Sequence, residues 1–365
     1  MTDAAHIRPL TSLRFLAALW VVLFHYWPKL DVGFTPMFVQ KGYLGVELFF
    51  VLSGFILCHV YRTQVEDGSF KYGSFLWARL ARIYPLHLAT MFGLGAVALA
   101  AGTAGFEVDK NILSWESLPA NLFLVHAWGL APEAGWNHPS WSISAEWFAY
   151  LTFPLFAWAA LALKHRPAVL VVAASVLLIA LYAGFEALTG RALTQATIHW
   201  GALRIVPCFA LGCALHAFWR ARPATTSGRA LANVSVAAPM MLAAAAMGAP
   251  DAMIVLALGM VILFLADAGA TGATTIDNPA SIYLGEVSYS VYMLCVPWKI
   301  VFFNAAARLT GAADEKLPLY IWGLGFIGLV ALAAGSYHLI EKPARLKMKQ
   351  WELAWQAKRL SAARA

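Results

Sequence analysis

The sequence predicts an all-α integral membrane protein, a bundle of about ten transmembrane helices with both termini cytoplasmic. Three observations carry this prediction. Hydrophobic residues make up 61% of the 365-residue chain and charged residues only 12%, with a mean hydropathy of +0.67. That leaves too little polar surface to coat a water-soluble globule of this size. Apolar runs long enough to cross a hydrocarbon layer about 30 Å thick recur along the whole chain. Lys and Arg are spread unevenly over the connections between those runs, as the resistance of cations to translocation requires.

The first run, at about 10–28 (LTSLRFLAALWVVLFHYW), follows ten residues and contains Arg14 and His25, so it is a retained helix and not a cleavable signal. The second, 42–60 (GYLGVELFFVLSGFIL), carries Gly42, Gly45 and Gly54, which permit close helix packing, and Glu47 near its outer end. The third, 83–101, is entered through FLWARLARIYP; the fourth, 142–163, opens on SWSISAEWFAY. Runs at 168–188 and 201–219 follow, then 231–248 and 251–267, which only Gly248, Ala249, Pro250 and Asp251 separate. The ninth, 284–305, begins LGEVSYSVYMLCVP, and the tenth, 319–340, closes on YHLIEKPAR. The segment from Leu118 to Leu130 reads as a re-entrant or interfacial element. The tail after Glu341 reads as a helix lying on the inner leaflet.

With the N-terminus cytoplasmic, inside segments hold 17 Lys and Arg and outside segments six, the remaining three of the 26 (Arg14, Arg204, Lys299) falling within spans. The net charge of +7 is therefore explained by topology and contact with anionic lipid, and no aromatic-basic arrangement calls for nucleic acid. Cys58, Cys208, Cys213 and Cys295 all lie in apolar runs with no CxxC pair, which argues against a metal or a disulfide framework.

Ionisable residues held in a bilayer cost about 2.5–3.5 kcal/mol each on insertion scales and default to a functional hypothesis. Arg14 and His25 are eleven residues apart, so they share one helix face and are separated by roughly 16 Å along the axis. Ser142 and Glu146 share a face at i, i+4 and are expected at the depth of His25, where imidazole, carboxylate and hydroxyl together would suit general-base transfer to a hydroxyl. On the other side Arg79 and Arg82, three apart, offer fork-shaped donors suited to phosphate. Glu47 is a possible accessory carboxylate. Ordinary readings stand beside these: Arg14 snorkelling to headgroups, His25 and Glu146 interfacial, Ser142 a helix cap, Arg79 and Arg82 positive-inside charges.

At these residues the sequence resembles the membrane-bound acyltransferase 3 family, whose members acylate, most often O-acetylate, bacterial cell-surface glycans. The Arg14-to-His25 spacing, GVELFFVLSGFIL, the Arg79/Arg82 pair, Ser142 with Glu146, SYSVYML and IEKPAR match the family pattern in order, over essentially the whole chain. The resemblance implies a transmembrane acyltransferase domain over 1–345 and a basic cytoplasmic tail over 346–365. It implies the bacterial cytoplasmic (inner) membrane, acyl-CoA (acetyl-CoA in the simplest case) as co-substrate, no metal, and a glycan or glycolipid acceptor. By the same resemblance His25, Glu146 and Ser142 are catalytic, and Arg14, Arg79 and Arg82 bind the donor. Where many relatives carry a His after SYSxYxx this chain has Cys295, with Lys299 one turn later as a possible substitute. The alternative is a transporter or flippase of a glycan or lipid-linked glycan, using the same polar path without covalent chemistry.

Overall fold

A computed structural model describes residues 7–106, 108–312 and 316–362 of the chain; Arg364, counted above among the inside cations, lies outside them. Among the described residues ten helices are long and apolar enough to span a membrane, and no strand forms beyond an isolated bridge between Leu30 and Leu317. The spans are α1 (Arg8–Tyr26), α2 (Gly45–Glu66), α3 (Tyr72–Thr103), α4 (Trp141–Ala162), α5 (Pro167–Thr189), α6 (Gly201–Ala221), α7 (Ser227–Ala246), α8 (Asp251–Thr271), α9 (Pro279–Trp298) and α10 (Leu319–Ser336). A π-helical turn, Lys299–Phe303, carries α9 on into Asn304–Thr310, and another, Tyr337–Glu341, joins α10 to a tail helix, α11 (Lys342–Ala362). The close division at Gly248 is real, since α7 ends at Ala246 and α8 starts at Asp251.

Burial sorts the helices. The spans of α6, α2 and α8 are 72%, 67% and 61% buried, whereas those of α5, α7 and α10 are 17% buried and form the rim. At the centre α2 and α6 meet backbone to backbone: a Cβ on Gly54 would strike the Phe209 carbonyl oxygen, and one on Gly212 the Val51 carbonyl oxygen. Small residues let backbones approach this closely, and van der Waals packing then replaces the hydrophobic drive that lipid cannot supply. Gly42 and Gly45 bring the start of α2 against the Trp20 and Ala17 carbonyls of α1 in the same way. Gly212→Val is expected to force α2 and α6 apart and cost about 1–3 kcal/mol through overpacking. The thermal unfolding midpoint of detergent-solubilised protein should fall, while Gly323→Val, with open space around the glycine, should leave it unmoved. Equal midpoints for the two variants would contradict this packing.

Two features of the chain between α3 and α4 place the site. Helix α3 begins at Tyr72, eleven residues before its apolar run, so Arg79 and Arg82 lie two to three turns inside a helix and not in a loop at its entrance. The long connection that follows folds back into the bundle. Its short helix Leu118–Leu122 and the turns His126–Trp128 and His138–Ser140 are tied down by buried polar side chains. The Asn137 amide donates to Thr90 Oγ1 and to the Met293 carbonyl, both at 3.1 Å. Ser144 Oγ donates to the Leu124 carbonyl at 2.8 Å and accepts from the Ala127 amide. Burial lowers the pKa of His126 to about 3, so its imidazole is neutral and bonds to Ser140 at 3.1 Å. The buried part of Leu118 to Leu130 is thus held against the bundle by side-chain hydrogen bonds, as irregular backbone away from water must be. On the opposite side the tail helix α11 docks on α3, with Trp77 Nε1 donating to the Met348 carbonyl at 2.9 Å and Gln356 Nε2 to Ser74 Oγ at 3.2 Å.

Candidate active site

Inside the bundle a cavity of about 70 Å³ is lined by Arg14 of α1, Arg79 and Arg82 of α3, and Ser142 and Glu146 of α4. At about 10–15 Å³ for each water, that is room for a few waters or for a slender chain, not for a nucleotide. The five residues come from helices far apart in sequence, and each reaches the cavity for a local reason. Arg14 sits two turns into α1, which packs on α9 and α2, and Glu146 lies in the second turn of α4, which packs on α2 and on the turn His126–Trp128. Glu146 Oε1 accepts from Ser53 Oγ of α2 at 3.0 Å, and Tyr150, one turn on, lines the same cavity. The groups acting electrostatically on Arg14 are Arg82, Glu146, Tyr150 and Glu341.

Three guanidinium groups here face two carboxyl groups, Glu146 and Glu341, which leaves positive charge in excess. Arg79 has one hydroxyl neighbour, Tyr61 at 3.5 Å, with that ring 5.7 Å below its guanidinium carbon. Its buried Nε has no acceptor among the described residues. A buried donor without a partner costs about 1–3 kcal/mol, more when charged, so this arrangement suits an anion supplied from outside.

His25 is not in this cavity. Its ring lies half-buried near the far end of α1, edge-on to Phe24 at 5.2 Å, and the ionisable groups that act on it are Lys299 and His138. The expected meeting of His25 with Glu146 is therefore corrected. Because the connection before α4 dives into the bundle, α4 starts low: Trp141 packs on Phe50 and under Arg204, and Ser142 and Glu146 come to the depth of Arg14. Ser142 Oγ donates to the Pro139 carbonyl at 3.1 Å. Glu47 is corrected as well. It is fully buried and turned to Arg204, whose Nε and Nη2 donate to its two oxygens at 2.5 and 3.0 Å. Arg204 spends a further donor on the Ala196 carbonyl at 2.9 Å and stacks 4.5 Å over Trp141. Lys299 lies on the π-helical turn that follows α9, and Cys295 is fully buried, its carbonyl accepting from the Tyr26 hydroxyl at 2.9 Å.

Sequence reasoning overlooked Glu341, Ser53, Tyr150 and His138. Glu341 stands at the end of the last apolar run, where a carboxylate reads as an interfacial charge; in the fold it is buried, accepting from Ser290 Oγ at 3.0 Å. His138 had a fainter signal, a ring next to a proline four residues before Ser142. Among the described residues no group of three or more His, Cys, Asp or Glu could hold a metal ion.

Comparison with known proteins agrees in kind. A family model described as an acyltransferase domain matches residues 9–338. The chain is 37% identical over 160 residues to the acyltransferase MdmB of Streptomyces mycarofaciens, a match covering 40% of this chain and 38% of that protein. It is 31% identical over 183 residues to protein 2 in the picA locus of Rhizobium radiobacter, covering 47% of this chain and 92% of that one. A Staphylococcus aureus protein with a provisional O-acetyltransferase name is 25% identical over 160 residues, covering 41% of this chain and 24% of the other. The matched stretch thus spans well under half of MdmB and of the staphylococcal protein. No solved structure matches.

Proposed function

The chain belongs to the acyltransferase 3 family of membrane proteins, and on that premise we propose that it carries an acyl group, acetyl in the simplest case, from cytoplasmic acyl-CoA to a sugar hydroxyl of an exopolysaccharide or other cell-surface glycan. The protein would sit in the bacterial inner membrane. The observation that carries this reading is the cationic cavity within the bundle, set on the same face of α1 as an imidazole roughly 16 Å further along the axis. Phosphate oxygens of the donor would meet Arg14, Arg79 and Arg82, on the side where most basic residues fall. The pantetheine arm would run past Ser142 towards His25.

His25 then takes the proton of the attacking sugar hydroxyl as its oxygen adds to the thioester carbonyl. Collapse of the tetrahedral adduct breaks the C–S bond, and the departing thiolate of CoA is protonated from the imidazolium. No covalent enzyme intermediate is required. Lys299 would stand near this base, close enough to act on it electrostatically. Glu146 would position the arginines, since it accepts from Ser53 and shares the cavity with Arg14, Arg79 and Arg82.

Purified protein supplied with acetyl-CoA should release CoA when a glycan acceptor is added, and the acetyl group should be found on the glycan by mass spectrometry; CoA release independent of any acceptor would count against the reading. Arg79→Ala and Arg82→Ala should each raise the apparent KM for acetyl-CoA about tenfold or more, the loss of one charge-assisted hydrogen bond, with acceptor dependence little changed. An unaltered donor dependence would mean that these cations only set topology.

A further inference from the structure

Beyond the cationic cavity the molecule holds a much larger one, of about 740 Å³, with His138 in its wall. The outer turns of α3, the connection around Trp136 and the extension of α9 through Ile300 to Arg308 line it, and it opens to the surface of the bundle. Of its eighteen lining residues only four are polar or charged: Asp109, His138, Asn304 and Arg308. The size is that of a small-molecule site, and the walls are those of a hydrocarbon site with a few placed polar groups. A free polysaccharide would need hydrogen-bonding walls, which this cavity lacks.

We propose that this cavity is the acceptor subsite, and that the acceptor is an amphipathic glycoside whose hydrocarbon part lies along α3 and α9 while its sugar reaches His138 and His25. This rests on the acyl-transfer reading above and narrows its acceptor class. The cavity is continuous with the proposed chemistry. His138 is exposed and lines it, and it is one of the two ionisable groups that act on His25. Four residues on, Ser142 faces the donor cavity, so the segment from His138 to Ser142 is the partition between the two spaces. Trp136, at the floor, is held in the left-handed backbone region at φ 63°, where a bulky side chain is strained unless its surroundings fix it. Its indole N–H donates to the Ser114 carbonyl at 2.8 Å, and its ring fills the gap left by Gly95. At the rim Arg308 lies 4.5 Å over Phe106, which keeps a cation in place beside an apolar wall.

The test uses the full chain in lipid nanodiscs with radiolabelled acetyl-CoA, and as acceptors methyl and octyl glycosides of glucose, galactose, mannose and rhamnose. For the sugar that is acetylated, KM for the octyl glycoside should be at least tenfold below that for the methyl glycoside. Ala98→Trp and Val301→Trp, each of which fills the cavity, should raise the octyl KM at least tenfold and move the methyl KM less than twofold. In the unaltered protein an octyl glycoside with a diazirine at the chain end should label peptides 94–101 or 296–308. Acetylation with equal KM for methyl and octyl glycosides would overturn the hydrocarbon subsite and leave acyl transfer standing. Labelling of those peptides with no transfer to any sugar would keep the subsite and count against the sugar acceptor. Labelling elsewhere, or none, would overturn the subsite.

Discussion

Replacing His25 by alanine is expected to leave a protein that inserts and accumulates normally but loses acyl transfer by about 10²- to 10⁴-fold, the range attributed to one general base. The ring is half-buried and lies edge-on to Phe24, so its removal gives up one aromatic contact and leaves the helix packing in place. Arg14, by contrast, is set between the carboxyl groups of Glu146 and Glu341 and the like charge of Arg82. Acetyl incorporation into surface glycan, normalised to protein in the membrane fraction, checks the prediction; full activity in His25→Ala would remove the residue from the chemistry. Glu146→Gln gives the informative comparison. Because Glu146 bonds to Ser53 and acts on Arg14 without reaching His25, its loss should appear mainly in the KM for acetyl-CoA. A fall in kcat with unchanged KM would instead place it beside the imidazole.

The ten spans were legible because lipid imposes a length and an apolar composition that no other environment demands at once. Depth was not. A hydropathy average stops a helix at its first charges, so α3 read from 83 although it runs from Tyr72 and carries Arg79 and Arg82 inside. The level of α4 depends on hydrogen bonds from Asn137 to Thr90 and Met293, residues 47 and 156 positions away, and nothing local encodes them. Helical spacing put Ser142 with Glu146 on a common face, and both line the cavity, since such spacing is a property of one helix at a time. Which faces meet across the bundle is decided by glycine contacts such as Gly54 with Phe209, and a single sequence gives the glycine but not its partner. Arg204 and Glu47 were visible as charges within spans, yet their pairing was visible only in three dimensions.

That pair carries the second large expectation. Side-chain exposure is 3% for Arg204 and 0% for Glu47, so both charges have left water and each depends on the other. Breaking such a pair by removing one partner costs about 3–5 kcal/mol, because the remaining charge stays buried without compensation. In Glu47→Ala the guanidinium would retain only the Ala196 carbonyl and the face of Trp141, and a desolvated cation–π contact of about 2 kcal/mol offsets only part of that cost. The single variant should therefore accumulate poorly and unfold at markedly lower temperature in detergent. The double variant Glu47→Leu with Arg204→Met should recover most of the stability, since it strands no charge and keeps the volume filled. If Glu47 instead served the chemistry near His25, Glu47→Ala would fold normally and be inactive, and Arg204→Met would restore nothing. Measuring membrane levels, unfolding temperature and acetyl transfer for all three proteins separates the two roles, because only the structural one predicts that the second substitution rescues the first.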